Sequence, residues 1–335
     1  MEIKKKWIST YRQQDIFLIT LSNEACIVNI INYGAIVKDL LLRGTNNKYE
    51  NLILSYDTVE EYYADPYYMG GTIGRYANRI SGGYLTIRDK SYQLSRNENS
   101  VNHLHGGYEG FNRKVWKVEN EFEESRGVGV SLSLVSHHLE EGYPGNLAVE
   151  VRYMLSPANE LIIQYKATTD RPTVVNLTNH CYFNLSGGKR NISNHLLCVK
   201  ADEYTPASDQ YIPDGTIASV NNSIFDLRMP TKVAEVMHQI PTVNYCLADQ
   251  GAFKLAATLT DLQSGNCVEV RTTSPGLQLY HGNYLAGSHE PFSGICLEPQ
   301  HYPDSPNQPN FPSTLLLPGQ TYNEITSYRF LYRGV

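Results

Sequence analysis

The chain has 335 residues, 41% of them hydrophobic and 19% charged, with a formal net charge of −6. That length and apolar content support a sizeable core and exclude wholesale disorder. The acidic balance argues against nucleic acid as a partner, because phosphate binding needs a basic footprint.

At the N-terminus Lys4, Lys5 and Lys6 precede Trp7, Ile8 and Ser9, which do not begin an apolar signal core. No stretch is apolar for long enough to span a bilayer, so a cytoplasmic protein without membrane contact is expected. The 6 cysteines stand at 26, 181, 198, 246, 267 and 296 with no Cys-x-x-Cys among them, which predicts buried thiols in a reducing compartment. Tyrosine is abundant, at 25 residues. Its ring stacks on apolar surface while its hydroxyl hydrogen-bonds, which suits both sandwich cores and polyhydroxylated ligands.

A short helix is predicted over 59–63. Period-two patterns follow and dominate. Val128, Val130, Leu132 and Leu134 alternate with Gly129, Ser131 and Ser133. Leu147, Val149, Val151, Tyr153 and Leu155 alternate with Glu150, Arg152 and Met154. Leu161, Ile163, Tyr165 and Ala167 alternate with Gln164 and Lys166. One apolar and one mostly polar face is the signature of half-buried antiparallel strands. Turn residues separate them at 142–146 and 157–159. Helical spacing of Val233, Val236, Met237 and Ile240 predicts a second short helix over 231–240. Pro303, Pro306, Pro309 and Pro312 recur every third residue, as in a polyproline-II ligand, but the interleaved Asn307, Asn310 and Phe311 suit a rigid packed loop better. Residues 328–332 read as a last strand. With no linker and no repeat, residues 1–335 are expected to form one all-β domain, a large antiparallel β-sandwich with a few short helices.

Polar groups concentrate where such a sandwich should be apolar. The segment 70–80 holds Gly70, Gly71, Gly74, Arg75, Asn78 and Arg79. It reads either as a turn with two surface arginines or as a donor cluster, Asn78 and Arg79, for hydroxyl groups; no βαβ unit surrounds its glycines. In 102–107, His103 and His105 would share a strand face, a spacing that metal sites use, yet no carboxylate or further histidine follows nearby. The glycines after His105 instead predict a bend that leaves its imidazole at a strand end, facing a ligand. In "NLTNHCYFN", Asn176, Thr178, His180, Tyr182 and Asn184 would share one face of an unbroken strand. Burying those groups unpaired would cost roughly 1–3 kcal/mol each, so that face is expected to meet water or a ligand. Gln278 and Tyr280 share a face in the same manner. Glu298 ends an apolar strand, held by Pro299; it reads as either a salt bridge or a working group. Histidines, a carboxylate, an arginine and amides on strands point to acid–base chemistry on a polyhydroxylated substrate.

These residues resemble a known family. "GRYANRI", "NHLHGG", "NLTNHCYFNLSG", "DEYTPASDQYIPDG", "FDLR", "LQLYHGNYL" and "LEPQHYPDSPNQPNFPSTLLLPGQTY" are similar to the signature segments of aldose 1-epimerases, the galactose mutarotases, and stand in the family's order over 70–322. The resemblance implies a large antiparallel β-sandwich with its site in a cleft on one sheet. It implies interconversion of the α and β anomers of an aldose without cofactor or metal, with a small sugar as the only ligand. It makes Glu298 the general base and His180 the general acid, with Asn78, Arg79, His105 and Gln278 contacting sugar hydroxyls and Tyr182 beside them. Chemically, one proton must leave the C1 hydroxyl and another must reach the ring oxygen, which a carboxylate and an imidazolium accomplish. Arg79 and the histidines are expected to favour the charge on Glu298.

One position departs from the pattern. Relatives carry a sugar-binding aspartate in Asp-His-Asn-Tyr, and here Thr242 takes its place before Val243, Asn244 and Tyr245. A hydroxyl is the weaker acceptor, which leaves the sugar open: galactose, glucose, another aldose or a disaccharide. Asp209, Asp214 or another acidic loop residue would have to reach into the cleft to compensate. A non-catalytic carbohydrate-binding sandwich, a metal-dependent β-barrel enzyme and a sugar-phosphate epimerase are the rival classes, the last wanting more cations than Arg75 and Arg79. A monomer or homodimer is expected.

Overall fold

A computed structural model describes residues 1–44 and 47–332. Three antiparallel sheets carry the fold. The first is a meander of five strands in chain order, Glu2–Tyr11, Gln14–Ser22, Cys26–Ile31, Ile36–Arg43 and Tyr49–Asn51. The second is nine-stranded. Its order is Lys117–Glu124, Gly127–Ser136, Leu147–Leu155, Glu160–Thr169, Tyr322–Tyr332, Asn266–Thr272, Lys254–Asp261, His195–Val199 and Thr231–Lys232. The third, six-stranded, runs Tyr182–Phe183, Ile295–Gln300, Gly276–Tyr280, Thr242–Cys246, Glu203–Thr205 and Ala218–Ser219.

Alternation explains the layering. Leu147, Val149, Val151 and Tyr153 are buried while Ala148 faces solvent, and the register from Leu147 opposite Thr169 to Leu155 opposite Leu161 keeps the apolar sets together. Leu277, Leu279, Ile295 and Leu297 of the six-stranded sheet join the same apolar cluster as Leu161, Ile163, Val268 and Tyr328 of the nine-stranded one. Ile19, Val28 and Leu40 bring the five-stranded sheet into it. Each such side chain contributes roughly 1.5–3 kcal/mol on burial. Period two then leaves Gln278, Tyr280 and Glu298 on the opposite face, away from that core.

The predicted strands lie within Gly127–Ser136, Leu147–Leu155, Glu160–Thr169 and Tyr322–Tyr332. The first helix is Val59–Ala64, closed by a capping box between Thr58 and Glu61. The second is shorter than its spacing predicts. Residues 231–232 pair as a strand, and only Val233–Val236 are α-helical, with Val233 and Val236 buried. The proline-rich stretch is a packed loop, in which Asn307 donates to the Tyr84 carbonyl and Phe311 lies against Tyr302. All six cysteines are buried, and none forms a disulfide among the described residues. Among the described residues no helix is long and apolar enough to cross a membrane.

Arg75 corrects the expectation of two surface arginines: it is 1% exposed. Its Nη1 donates to the carbonyls of Pro144 and Gly145 at 2.8 and 3.1 Å and to Thr173 Oγ1. Its Nη2 donates to Ser136 and to the His137 carbonyl. The guanidinium fastens the turn after the Gly127–Ser136 strand to the segment leading into the cleft. Arg75→Met is expected to lower stability by roughly 3 kcal/mol or more, since buried acceptors stripped of donors cost about 1–3 kcal/mol each. The measurement is the urea midpoint at unchanged slope; a drop below about 1 kcal/mol would show that water replaces the guanidinium.

Candidate active site

On the polar face of the six-stranded sheet lies a cleft of about 530 Å³. Asn78, Arg79, His105, His180, Tyr182, Thr242, Gln278 and Glu298 all line it, so the eight residues singled out in the sequence converge on one cavity. They come from six separate segments.

Glu298 and Gln278 stand opposite each other in register on neighbouring strands. Glu298 is 2% exposed, and its Oε2 has no hydrogen-bond partner among the described residues. Burial pushes its carboxyl up to about 8, with the Arg79 charge opposing that shift. This corrects the expectation of a carboxylate held ionised by its neighbours, because the Arg79 charge is already engaged. Its Nε donates to both oxygens of Glu98, at 3.0 and 2.9 Å, and Nη2 adds a third bond. The guanidinium also lies 5.0 Å from the centre of the Tyr211 ring. Among the described residues its Nη1 has no protein partner, which leaves that nitrogen for a ligand.

His180 sits between two short pairings, Thr178–Asn179 and Tyr182–Phe183, and its backbone is gripped on both sides by the glycine turn. The Gly70 amide donates to its carbonyl, and its own amide donates to the Gly71 carbonyl, both at 3.0 Å. Its Nε2 is 3.8 Å from Glu298 Oε2. Burial lowers its pKa to about 4, so the ring is neutral near pH 7 rather than an imidazolium. The Tyr182 and His105 rings pack around it at 5.0 and 5.3 Å.

His105 occupies a left-handed conformation, φ 52°, and Gly106 follows because a Cβ there would lie 1.8 Å from the Gly74 carbonyl oxygen. Burial, then the neighbouring His180 charge, push its pKa well below the usual histidine range. Its Nδ1 accepts from the Asn78 amide at 3.2 Å, which leaves the proton on Nε2 as a donor. The Asn78 side chain in turn accepts from the Arg79 amide. The bend predicted after His105 is thus present, and it separates the two histidines. His103 is fully buried, its Nε2 against the Tyr143 hydroxyl at 2.6 Å and its Nδ1 against the Ser95 carbonyl. Among the described residues the grouping able to hold an ion is instead His180, Cys296 and Glu298, with ligand atoms within 4.8 Å of one another. The Cys296 thiol is pushed well above its usual range by burial, so it stays protonated and is a poor ligand.

The reading of 176–184 as one ligand-facing strand is corrected. The strand is broken, and most of its polar side chains are internal ties. Asn176 donates to the Ala77 carbonyl, Thr178 to the Pro299 carbonyl, and Asn184 to the carbonyls of Arg190 and Ser293. The desolvation cost that suggested a ligand is met by backbone acceptors. His180 and Tyr182 alone of that set reach the cleft, and the Tyr182 hydroxyl is donated to the Tyr67 carbonyl, leaving its ring as the contact.

Thr242 is also occupied. It donates to the Leu279 carbonyl at 3.0 Å and accepts from Gln278 Nε2 at 2.6 Å. It fixes the Gln278 amide rather than offering a free acceptor. Asp209 lines the cleft, whereas the Asp214 carboxylate caps the Thr216 amide outside it. Tyr68, Glu98, Tyr211, Tyr280 and Tyr284 line the cleft as well. Sequence reasoning missed Tyr68, Glu98 and Tyr211 because they stand in irregular segments with no periodicity to give them a face; tyrosine abundance was the sole hint.

The profile of the aldose 1-epimerase family matches residues 18–329. The chain is 39% identical to the galactose mutarotase of Mus musculus over 323 residues, 92% of each chain. It is 34% identical to the aldose 1-epimerase of Escherichia coli K12, covering 94% of this chain and 95% of that one. The crystal structure of galactose 1-epimerase from Lactobacillus acidophilus superposes with a TM-score of 0.88 at 28% identity, over 99% of both chains. With that coverage, and the expected fold and cleft in place, the chain belongs to the aldose 1-epimerase family.

Proposed function

We propose that this protein interconverts the α and β anomers of an aldose, with Glu298 as general base toward the C1 hydroxyl and His180 as general acid toward the ring oxygen. The observation that carries the assignment is the buried pair 3.8 Å apart, with an unpartnered carboxylate oxygen, in a cleft walled by amide, guanidinium and tyrosine groups.

Near pH 7 the pair holds one proton, on Glu298, because burial disfavours the charged form of both groups. A sugar hydroxyl donating to Glu298 favours the carboxylate, and the attraction between opposite charges 3.8 Å apart favours the imidazolium beside it. The base then takes the C1 proton, the acid protonates the ring oxygen, and the pair returns to its resting arrangement as the ring opens. Rotation about the C1–C2 bond and the reverse transfer close the other anomer. The backbone grip of Gly70 and Gly71 on His180 keeps the imidazole in place throughout.

Arg79, His105, Asn78 and Gln278 are the substrate-binding groups of this reading, and the Tyr182 ring packs against His180. Thr242 acts through Gln278. Thr242→Val is expected to raise KM about three- to tenfold with a smaller change in kcat, since one ordinary hydrogen bond is lost. An unchanged KM would detach Gln278 from substrate. The test of the activity itself is polarimetry of freshly dissolved α-anomers of several aldoses; no acceleration over buffer with any of them would overturn it. Residues 1–335 are read as one catalytic domain, cytoplasmic because its six cysteines are buried and form no disulfide among the described residues, and monomeric or homodimeric.

A further inference from the structure

We propose that Glu98 is a positioning residue for this reaction: it holds the Arg79 guanidinium off Glu298, so that the arginine serves the sugar instead of pairing with the base. This rests on the anomer-interconverting reading above.

The hold is built into the backbone on both sides. Arg79 stands opposite Leu104 where Arg79–Ile80 pairs with His103–Leu104. Asn97 ties its side chain to the same Leu104, donating to the carbonyl and accepting from the amide, both at 2.8 Å. Next in the chain, the Glu98 amide donates to the Asn102 carbonyl, and the Glu98 carbonyl accepts from the Asn102 amide, each at 3.1 Å. Asn99 and Ser100, φ 51° and 57°, make the tight turn between, with the Val101 amide donating to the Glu98 carbonyl. Two successive left-handed residues are the type I′ geometry, which sets the register of the flanking segments. Glu98 is therefore presented by a fastened hairpin, where its two oxygens accept from Nε and one of them from Nη2. The two side chains are only 13% and 18% exposed. A two-pronged pair this sheltered is stronger and more directional than an exposed one.

The need for that hold follows from what Arg79 would otherwise meet. Around it stand Glu98, the His105 imidazole, the Tyr68 and Tyr211 rings, and the carboxyls of Asp209 and Glu298. Asp209 is exposed, where water competes for a cation. Glu298 is buried with Oε2 unpartnered, a position where an opposite charge is worth far more. The other groups that face Glu298 carry no charge to oppose such a pairing. His180 is neutral near pH 7, and burial keeps the Cys296 thiol and the Tyr182, Tyr280 and Tyr328 phenols protonated. An arginine released onto Glu298 would hold it ionised and occupy the oxygen that takes the C1 proton. With Glu98 in place both functional groups stay open, Arg79 Nη1 to a hydroxyl and Glu298 Oε2 to the base step.

The experiment is the pH dependence of kcat/KM, by polarimetry, for wild type, Glu98→Gln, and Glu98→Gln combined with Arg79→Met. Glutamine keeps the length of glutamate and loses the charge; Glu98→Ala serves if that variant does not fold. In wild type the pair gives up its proton at about 8. An arginine moved beside a carboxylate keeps it ionised to lower pH, so the alkaline limb of Glu98→Gln is expected to fall by about one pH unit or more. The double variant, with no guanidinium to release, brings the limb back to the wild-type value or above, although KM stays raised. A glutamate that only stiffened its loop would leave the limb alone. An unmoved limb in Glu98→Gln, or a displacement that survives the loss of Arg79, overturns the proposal. If the wild type turns over no aldose, the activity reading fails instead. Carboxyl 13C NMR then decides the hold by itself, with the Glu298 signal identified by its absence from Glu298→Gln. A Glu298 signal that titrates lower in Glu98→Gln and returns in the double variant supports the hold, and equal titration in all three proteins overturns it.

Discussion

Glu298→Gln is expected to lose at least about 10²-fold in kcat for anomer interconversion, because an amide cannot take the C1 hydroxyl proton. The same variant is expected to gain stability. A carboxyl held at about 8 in the folded protein keeps its proton while the unfolded chain releases it near the ordinary value of 4.5. Wild-type stability is therefore drained as pH rises from about 4.5 to about 8, by something on the order of 3 kcal/mol at pH 7. Glutamine has no proton to lose. Melting temperatures of the two proteins should match near pH 4.5 and separate in the variant's favour toward pH 8. Retention of more than about a tenth of kcat would place the base elsewhere, and a variant less stable than wild type at pH 7 would contradict the burial argument.

His180→Ala should cost a comparable factor, about 10²–10⁴, and the pH profile of the wild type should identify the pair. Below about 4 His180 takes a second proton while Glu298 already holds one, and no base remains. Above about 8 the single proton departs, and no acid remains. Wild-type kcat/KM should thus form a broad bell between those limits, each belonging to the pair as a whole. Groups at their ordinary values would bring the alkaline limb down to about 6.5. A limb there, or a profile flat from about pH 4 to 9, would remove this pair from the mechanism.

Much of this was legible in the chain because period-two alternation encodes which face a residue takes. Leu277 and Leu279 against Gln278 and Tyr280 fix both the core and the cleft side of one strand. Histidine, glutamate and amide types are therefore assigned to a polar face by the chain alone. The same rule misled at Asn176, Thr178 and Asn184. Alternation assumes a continuous strand, and here the backbone leaves its ladder between 174 and 178, so side-chain amides and hydroxyls substitute for missing strand partners. Arg75 and Arg79 show a second limit. Four residues apart, one is sealed against carbonyls and the other opens onto the cleft, a difference set by contacts with residues some 60 to 100 positions away and written in no local pattern. Ionisation states were the least legible. They depend on solvent exclusion by all the walls together, which is why a carboxylate and an imidazolium became a neutral pair.

The strands that alternate between core and cleft also make chain length, not just residue identity, a determinant of catalysis. A one-residue deletion in Gly276–Tyr280 or Ile295–Gln300 would exchange their faces, turning leucines toward the sugar and Gln278 or Glu298 into the hydrocarbon core. Neither strand can slip alone, since Gln278 and Glu298 are paired across them and both flank other strands. Between them, the turn at Gly287 is exposed, and a Cβ added there would meet nothing within 4 Å. Insertions and deletions are therefore confined to such turns, while the strands behave as a ruler of fixed length whose graduations are the leucines.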